Sequence, residues 1–322
     1  FNNLIKVSKN LFPGNFKILL EFFLCLWLVF LISKYKKLFQ LNILTSVLFI
    51  FLFLNQQSII SGEWYFGAVE GKVFAYLSLL TSFYYAYVKE LNKSCFFYLL
   101  SFYFHASVAV VIFPIYFYLQ IKKFTFNKLI KSNFISFIFA LPLILNLLSY
   151  NEFKEFTKNN VLTESNKINM IVERVPHHLY PFNRIGEFGL QINNQWKPGF
   201  ASMLCLTLIL LFIKNKKYFQ NEILDVVIFS SFVFWMYSFI VFIFPFSQFT
   251  LLFPFRIGSI FLIFLYLYIC LCIQYYEYKF TNIGITLLIT FLLLQSFSNI
   301  QNDYYFDELE LKNDPKLNIF LD

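Results

Sequence analysis

The chain has 322 residues, 59% of them hydrophobic and 14% charged, with 48 Phe and a mean hydropathy of +0.63. These values exclude an ordinary soluble globular domain and point to a polytopic membrane protein. The formal net charge of +8 reads as the lysine excess of cytoplasmic loops, because the lysines fall in short clusters between apolar runs, and no nucleic-acid partner is expected.

Helices are the expected spanning elements. A hydrocarbon core of about 30 Å takes about 20 apolar residues and leaves no water for unpaired backbone groups. No barrel-like alternation of polar and apolar residues appears. The fold class is therefore all-α, a polytopic transmembrane helical bundle. Its apolar segments in chain order are 16–33, 41–54, 73–88, 94–119, 134–149, 200–213, 224–244, 257–275 and 283–297. Four regions follow: membrane helices over 1–149, one long polar loop over 150–199, further membrane helices over 200–297, and an acidic tail over 298–322.

Lys34, Lys36 and Lys37 follow the first segment, Lys89 and Lys93 the third, Lys214, Lys216 and Lys217 the sixth, and Lys279 the eighth, so those loops are expected to be cytoplasmic. Simple alternation then places Lys122, Lys123, Lys128 and Lys131 outside. A helical hairpin within 94–119, re-entrant or broken, with its turn near His105, returns every lysine-rich short loop to the cytoplasm. The loop 55–72, the long loop 150–199, the loop 246–256 and the tail are then extracytoplasmic. All three arginines and all three histidines join them on that face. A plain nine-helix alternative inverts the second half and puts the long loop in the cytoplasm.

Between the second and third segments lies Gly62-Glu63-Trp64-Tyr65-Phe66-Gly67-Ala68-Val69-Glu70-Gly71-Lys72, which leads straight into a span. Ionisable residues at a membrane boundary are costly unless paired or watered. Glu63 and Glu70 are candidate catalytic carboxylates and Lys72 a candidate phosphate ligand. The plainer reading is an interfacial loop anchored by Trp64 and Tyr65. Glu70 and Lys72 do not face each other on a regular helix, whereas a bent, glycine-bearing entry brings both to one cavity.

His105, in Tyr103-Phe104-His105-Ala106-Ser107, reads either as a hydrogen-bonded structural residue or as a substrate contact at the hairpin tip. In the long loop, Arg174, His177, His178 and Arg184 surround two prolines. Because the prolines fix the chain locally, the adjacent histidines are expected to point apart, so recognition of phosphate or sugar hydroxyls is a better reading than a zinc site. A merely solvated loop is the alternative. Arg256 follows Phe253-Pro254-Phe255 at the head of an apolar helix and reads as a snorkelling anchor or as a grip on a lipid phosphate.

Cys25, Cys95, Cys205, Cys270 and Cys272 sit in apolar runs without metal or redox spacing and read as small apolar residues. No phosphate-binding glycine loop, dinucleotide fingerprint or nucleophile elbow occurs, and a carboxylate of the 62–72 stretch reads as a base or as a metal ligand. Because the sequence opens on Phe1 rather than Met, an N-terminal part is expected to be missing. The richness in Phe, Ile, Lys and Asn suits an AT-rich bacterial genome.

A polar loop with acidic residues, then Glu70-Gly71-Lys72 entering a span, then a break at Phe104-His105, then a long loop with Pro176-His177-His178, resembles integral membrane glycosyltransferases of the GT-C type and the related EpsG-like or Wzy-like polysaccharide polymerases. The resemblance covers roughly 63–256. It implies a bacterial inner-membrane enzyme that transfers a sugar from a polyprenyl-phosphate carrier on the extracytoplasmic face, with lipid-linked sugar, membrane lipids and other envelope-assembly proteins as partners. It also implies an acidic residue, often Asp, in the first external loop, and in some members a divalent cation. This chain departs there, because no Asp precedes Asp225, placed near the cytoplasmic face. Either Glu63 or Glu70 substitutes, or the carboxylate lies before Phe1, or the chain is no enzyme. A transporter or flippase for a lipid-linked or anionic substrate, and a non-catalytic assembly subunit, are the competing classes.

Overall fold

A computed structural model describes residues 16–55, 57, 70–149, 163, 166–168, 182–186, 189–192, 197–214, 221–243 and 246–275. The helices are α1 (Phe16–Leu38), α2 (Ile43–Asn55), α3 (Gly71–Tyr87), α4 (Leu91–Phe104), α5 (Ala106–Lys123), α6 (Phe126–Ser149), α7 (Lys197–Lys214), α8 (Glu222–Ile243), the short α9 (Ser247–Thr250) and α10 (Ile257–Tyr275). A 3-10 turn, Pro254–Arg256, joins α9 to α10. The bundle is helical, as the apolar runs predict. Within the segment expected as a loop, β1 (Phe182–Gly186) and β2 (Gly189–Ile192) pair as a small antiparallel ribbon, and β2 rests on α8.

Among the described residues, four helices are long and apolar enough to cross a membrane, over Ile18–Leu38, Ala106–Lys123, Glu222–Ile243 and Pro254–Tyr275. They mark the chain as a membrane protein. The distribution of side chains agrees. Phe126, Ile130, Phe134 and Ile138 form an exposed stripe at four-residue spacing on α6, and Phe22, Phe23, Leu26 and Phe30 lie exposed on α1, while Gln120, Ser94 and Ser230 are fully buried. An apolar exterior around polar interior groups suits lipid rather than water as the solvent. The residues 257–268 of α10 are all buried, which makes it the central helix, whereas α1 is peripheral. The ninth predicted segment, 283–297, and the tail lie outside the described residues.

The apolar segment 94–119 is two helices. His105 has extended backbone (φ −159°, ψ 93°), so it ends α4 and starts α5. The pair folds back on itself: Ser94 and Cys95 on α4 meet Gln120 and Tyr116 on α5, with Gln120 Nε2 3.5 Å from Ser94 Oγ and the Tyr116 hydroxyl 3.3 Å from Cys95 Sγ. In one continuous helix, residues 94 and 120 would lie about 39 Å apart. The rings of Tyr98 and Tyr116 stack at 3.9 Å, and the Tyr98 hydroxyl donates to the Ala109 carbonyl at 3.0 Å. Asn133 on α6 closes the network, donating to Gln120 Oε1 at 2.9 Å. Cys95 is thus part of a buried polar cluster rather than a purely apolar filler.

The helices sort their ends by charge. Phe39, after α1, meets the ring of Tyr87 at the end of α3 at 5.5 Å, and Lys123 Nζ lies 5.1 Å over that same ring. Lys123 pairs with Glu222, Lys122 with Asp225, and Lys214 Nζ lies 3.9 Å from Asp225. Ser132 near the start of α6 donates to Asn92 near the start of α4 at 3.2 Å. Gln274, at the end of α10, bonds the Asn42 amide at 2.9 Å and the Gln40 carbonyl at 2.8 Å. One end of the bundle therefore gathers the lysine-rich termini. The start of α3, the tip of the α4–α5 pair, and the 3-10 turn with Arg256 lie at the other end.

Candidate functional site

Arg256 is 3% exposed. It closes the 3-10 turn that Pro254 opens, where the fixed proline φ suits the first position of a helical turn. Its Nη1 donates to Ser107 Oγ at 2.6 Å, and its guanidinium carbon lies 4.7 Å from the ring centroid of Phe253. Burial overturns the snorkelling-anchor reading, because the head group is held inside the protein rather than sent to the surface. A buried arginine is costly unless bonded, and Ser107 and the face of Phe253 each offset part of that cost.

Ser107 Oγ also lies 3.0 Å from His105 Nδ1. The hairpin tip and the start of α10, 149 residues apart in sequence, are therefore joined through one hydroxyl. No glycine or proline marks the break at His105. Tertiary contacts on both sides hold it: the Tyr98–Tyr116 stack within the hairpin and Arg256 across from it.

Glu70 stands in extended backbone (φ −126°, ψ 155°) just outside α3, whose first residue is Gly71. Because Glu70 is not itself helical, its carboxylate reaches back to Lys72, with Oε2 3.1 Å from Nζ. The Lys72 side chain is 15% exposed and the Glu70 side chain 51%. The ring of Phe74, two residues on, lies 5.2 Å from the ring of Phe104, which precedes His105. Two charged units thus share one end of the bundle: Glu70 with Lys72, and Arg256 with Ser107 and His105.

Four of the residues singled out from sequence, Glu63, Arg174, His177 and His178, lie outside the described residues. The backbone of Arg184 falls in β1. Among the described residues, no three His, Cys, Asp or Glu side chains gather to hold a metal ion.

Sequence reasoning passed over two partners of Arg256. Ser107 follows His105 by two residues with nothing in the sequence to give it a role, and only the fold shows that its hydroxyl is shared. Phe253 precedes a proline, which biases a residue away from right-handed helix, yet its left-handed backbone (φ 53°, ψ 65°) has no glycine to announce it. Asp225 pairs with Lys122 and Lys214 at the opposite, lysine-rich end.

No protein-family model, no curated protein and no solved structure matches this chain.

Proposed function

We propose that this chain is a multi-pass enzyme of a bacterial cytoplasmic membrane that transfers a sugar from a polyprenyl-phosphate carrier on the extracytoplasmic face. The observation that carries the reading is the buried Arg256, tied through Ser107 to His105 at the end of the bundle away from the lysines. The lysine-rich termini take the cytoplasmic side, which leaves the Arg256 end outside. In this arrangement α4 and α5 enter from the cytoplasm and return to it. With 14 residues, α4 is shorter than the about 20 that a full crossing takes.

The chemistry assigns each group one task. Glu70 accepts the proton of an acceptor hydroxyl as that oxygen bonds to the anomeric carbon. The bond between the anomeric carbon and the carrier phosphate breaks, and the phosphate leaves with the electron pair. Arg256 and Lys72 stabilise the charge that grows on its oxygens, where preorganised donors act most strongly. His105 orients the carrier or the sugar. Glu63 is the second candidate base, and Arg174, His177, His178 and Arg184 are candidate orienting residues of the long loop. Because Arg256 is covered in this form, a carrier phosphate reaches it only when the covering chain moves.

The test is turnover of polyprenyl-linked sugar in membranes carrying Glu70→Gln, Lys72→Ala or Arg256→Ala. Each is expected to lower turnover by about a hundredfold or more. Unchanged turnover in all three would overturn the assignment. So would reconstituted vesicles in which the chain moves the lipid-linked sugar between leaflets and transfers nothing.

A further inference from the structure

We infer that Ser107 is a positioning residue that fixes His105 as a neutral imidazole with its proton on Nε2, which makes His105 a hydrogen-bond donor to substrate oxygen rather than a base. The assignment follows from counting protons. Arginine has donors and no acceptor, so in the 2.6 Å contact Ser107 Oγ accepts from Arg256 Nη1. The hydroxyl proton of Ser107 is then best used on the one acceptor shown beside it, His105 Nδ1 at 3.0 Å. A nitrogen that accepts carries no proton, so the ring proton sits on Nε2.

Two other states satisfy the same atoms less well. With the proton on Nδ1, Ser107 receives two donors, and its own proton must find a different acceptor. With His105 charged, two cations crowd one half-buried hydroxyl. That state is opposed further by the position of His105 at the N-terminus of α5, where the helix dipole is positive. Arg256 on the 3-10 turn and the Lys72–Glu70 pair at the head of α3 are charged groups at this same end of the bundle.

The role of Nε2–H deepens the transferase reading and rests on it, since a neutral donor suits a sugar hydroxyl or a phosphate oxygen. The tautomer itself does not rest on it. The full chain, carrying ¹⁵N-labelled histidine in lipid nanodiscs, is examined by NMR at neutral pH, with the His105 signals identified by their loss in His105→Gln. A protonated Nε2 and a bare Nδ1 are expected, kept in Ser107→Thr and replaced by a tautomer mixture in Ser107→Ala. An Nδ1–H tautomer or an imidazolium in the unaltered chain overturns the inference, as does an unchanged spectrum in Ser107→Ala. In the turnover assay, His105→Gln, which offers an N–H near the Nε2 position, is expected within tenfold of the unaltered chain, and His105→Ala is expected to lose a further tenfold or more. Equal loss in both overturns the donor role. If the unaltered chain shows the Nε2–H tautomer but transfers no sugar, the transferase reading fails and the tautomer assignment stands.

Discussion

The guanidinium carbon of Arg256 lies 4.7 Å from the ring centroid of Phe253, and Phe253 itself stands in left-handed backbone, φ 53° and ψ 65°. A side chain with a Cβ holds that region at a cost of about 1–2 kcal/mol. Phe253→Gly and Phe253→Ala both remove the ring, and they differ mainly in this backbone term. The glycine variant is expected to be more stable than the alanine variant by about 1 kcal/mol in denaturation from detergent micelles, while both lose turnover. Equal stability would show that the backbone at 253 is not strained. Full turnover in either variant would show that the stacked ring is not needed to hold Arg256.

The fold-back of α4 on α5 predicts a proximity that no continuous helix allows. In a background without native cysteines, Ser94→Cys and Gln120→Cys in one chain are expected to be joined by a short thiol cross-linker, since their native side chains approach within 3.5 Å. The control pair Ser94→Cys and Ser107→Cys sits at opposite ends of the hairpin and is expected to stay unlinked. The readout is the mobility of the cleaved chain after a protease site is placed between the two positions. Linkage of the control pair and not of the first would reverse the arrangement.

How far the sequence carries depends on whether a feature leaves a local mark. Helical class and segment positions follow from apolar runs, and α7, α8 and α10 lie close to the expected 200–213, 224–244 and 257–275. The break at His105 has no proline or glycine. It is legible only from where Lys122 and Lys123 must emerge, and those lysines meet Asp225 and Glu222 at the start of α8. The ion pair of Glu70 with Lys72 depends on where α3 begins, and the glycine at 71 hinted at that start. Ser107 and Phe253 could not be assigned, because each acquires a role only when α5 and the 3-10 turn meet. The ribbon at 182–192 carries too few residues to stand out from a polar loop.

The buried cluster around Gln120 is expected to matter for stability more than the ion pairs do. Asn133 donates to Gln120 Oε1 at 2.9 Å, and its own Oδ1 lies 3.4 Å from the Tyr116 hydroxyl. Asn133→Leu removes both contacts beside a fully buried amide, and a loss of about 1–3 kcal/mol is expected. By contrast, Asp225→Asn breaks pairs whose members remain about a third or more exposed, and less than about 1 kcal/mol is expected. Thermal unfolding of the two variants in the same detergent makes the comparison. A larger loss from Asp225→Asn would mean that the charged contacts at that end, rather than the buried amides, lock the hairpin to its neighbours.

The sorting of charged ends makes the last prediction, because it fixes which positions share a side. Lys37, Lys89 and Lys214 lie at or beside helix ends that gather at one end of the bundle, and Glu70 heads α3 at the other. Introduced singly into the cysteine-free chain, Lys37→Cys, Lys89→Cys and Lys214→Cys are expected to react with a membrane-impermeant thiol reagent in inside-out vesicles and to be protected in intact cells. Glu70→Cys is expected to show the reverse. The lysine bias is a statistical preference for orientation, whereas the contacts of Lys123 with Glu222 and of Gln274 with Asn42 fix relative placement by geometry. The two sources can therefore fail separately. If all four positions react together from outside, the shared end is wrong. If the three lysine positions react together from the outer face and Glu70 from the inner, the geometry stands, the orientation is inverted, and an extracytoplasmic transfer site at Arg256 is ruled out.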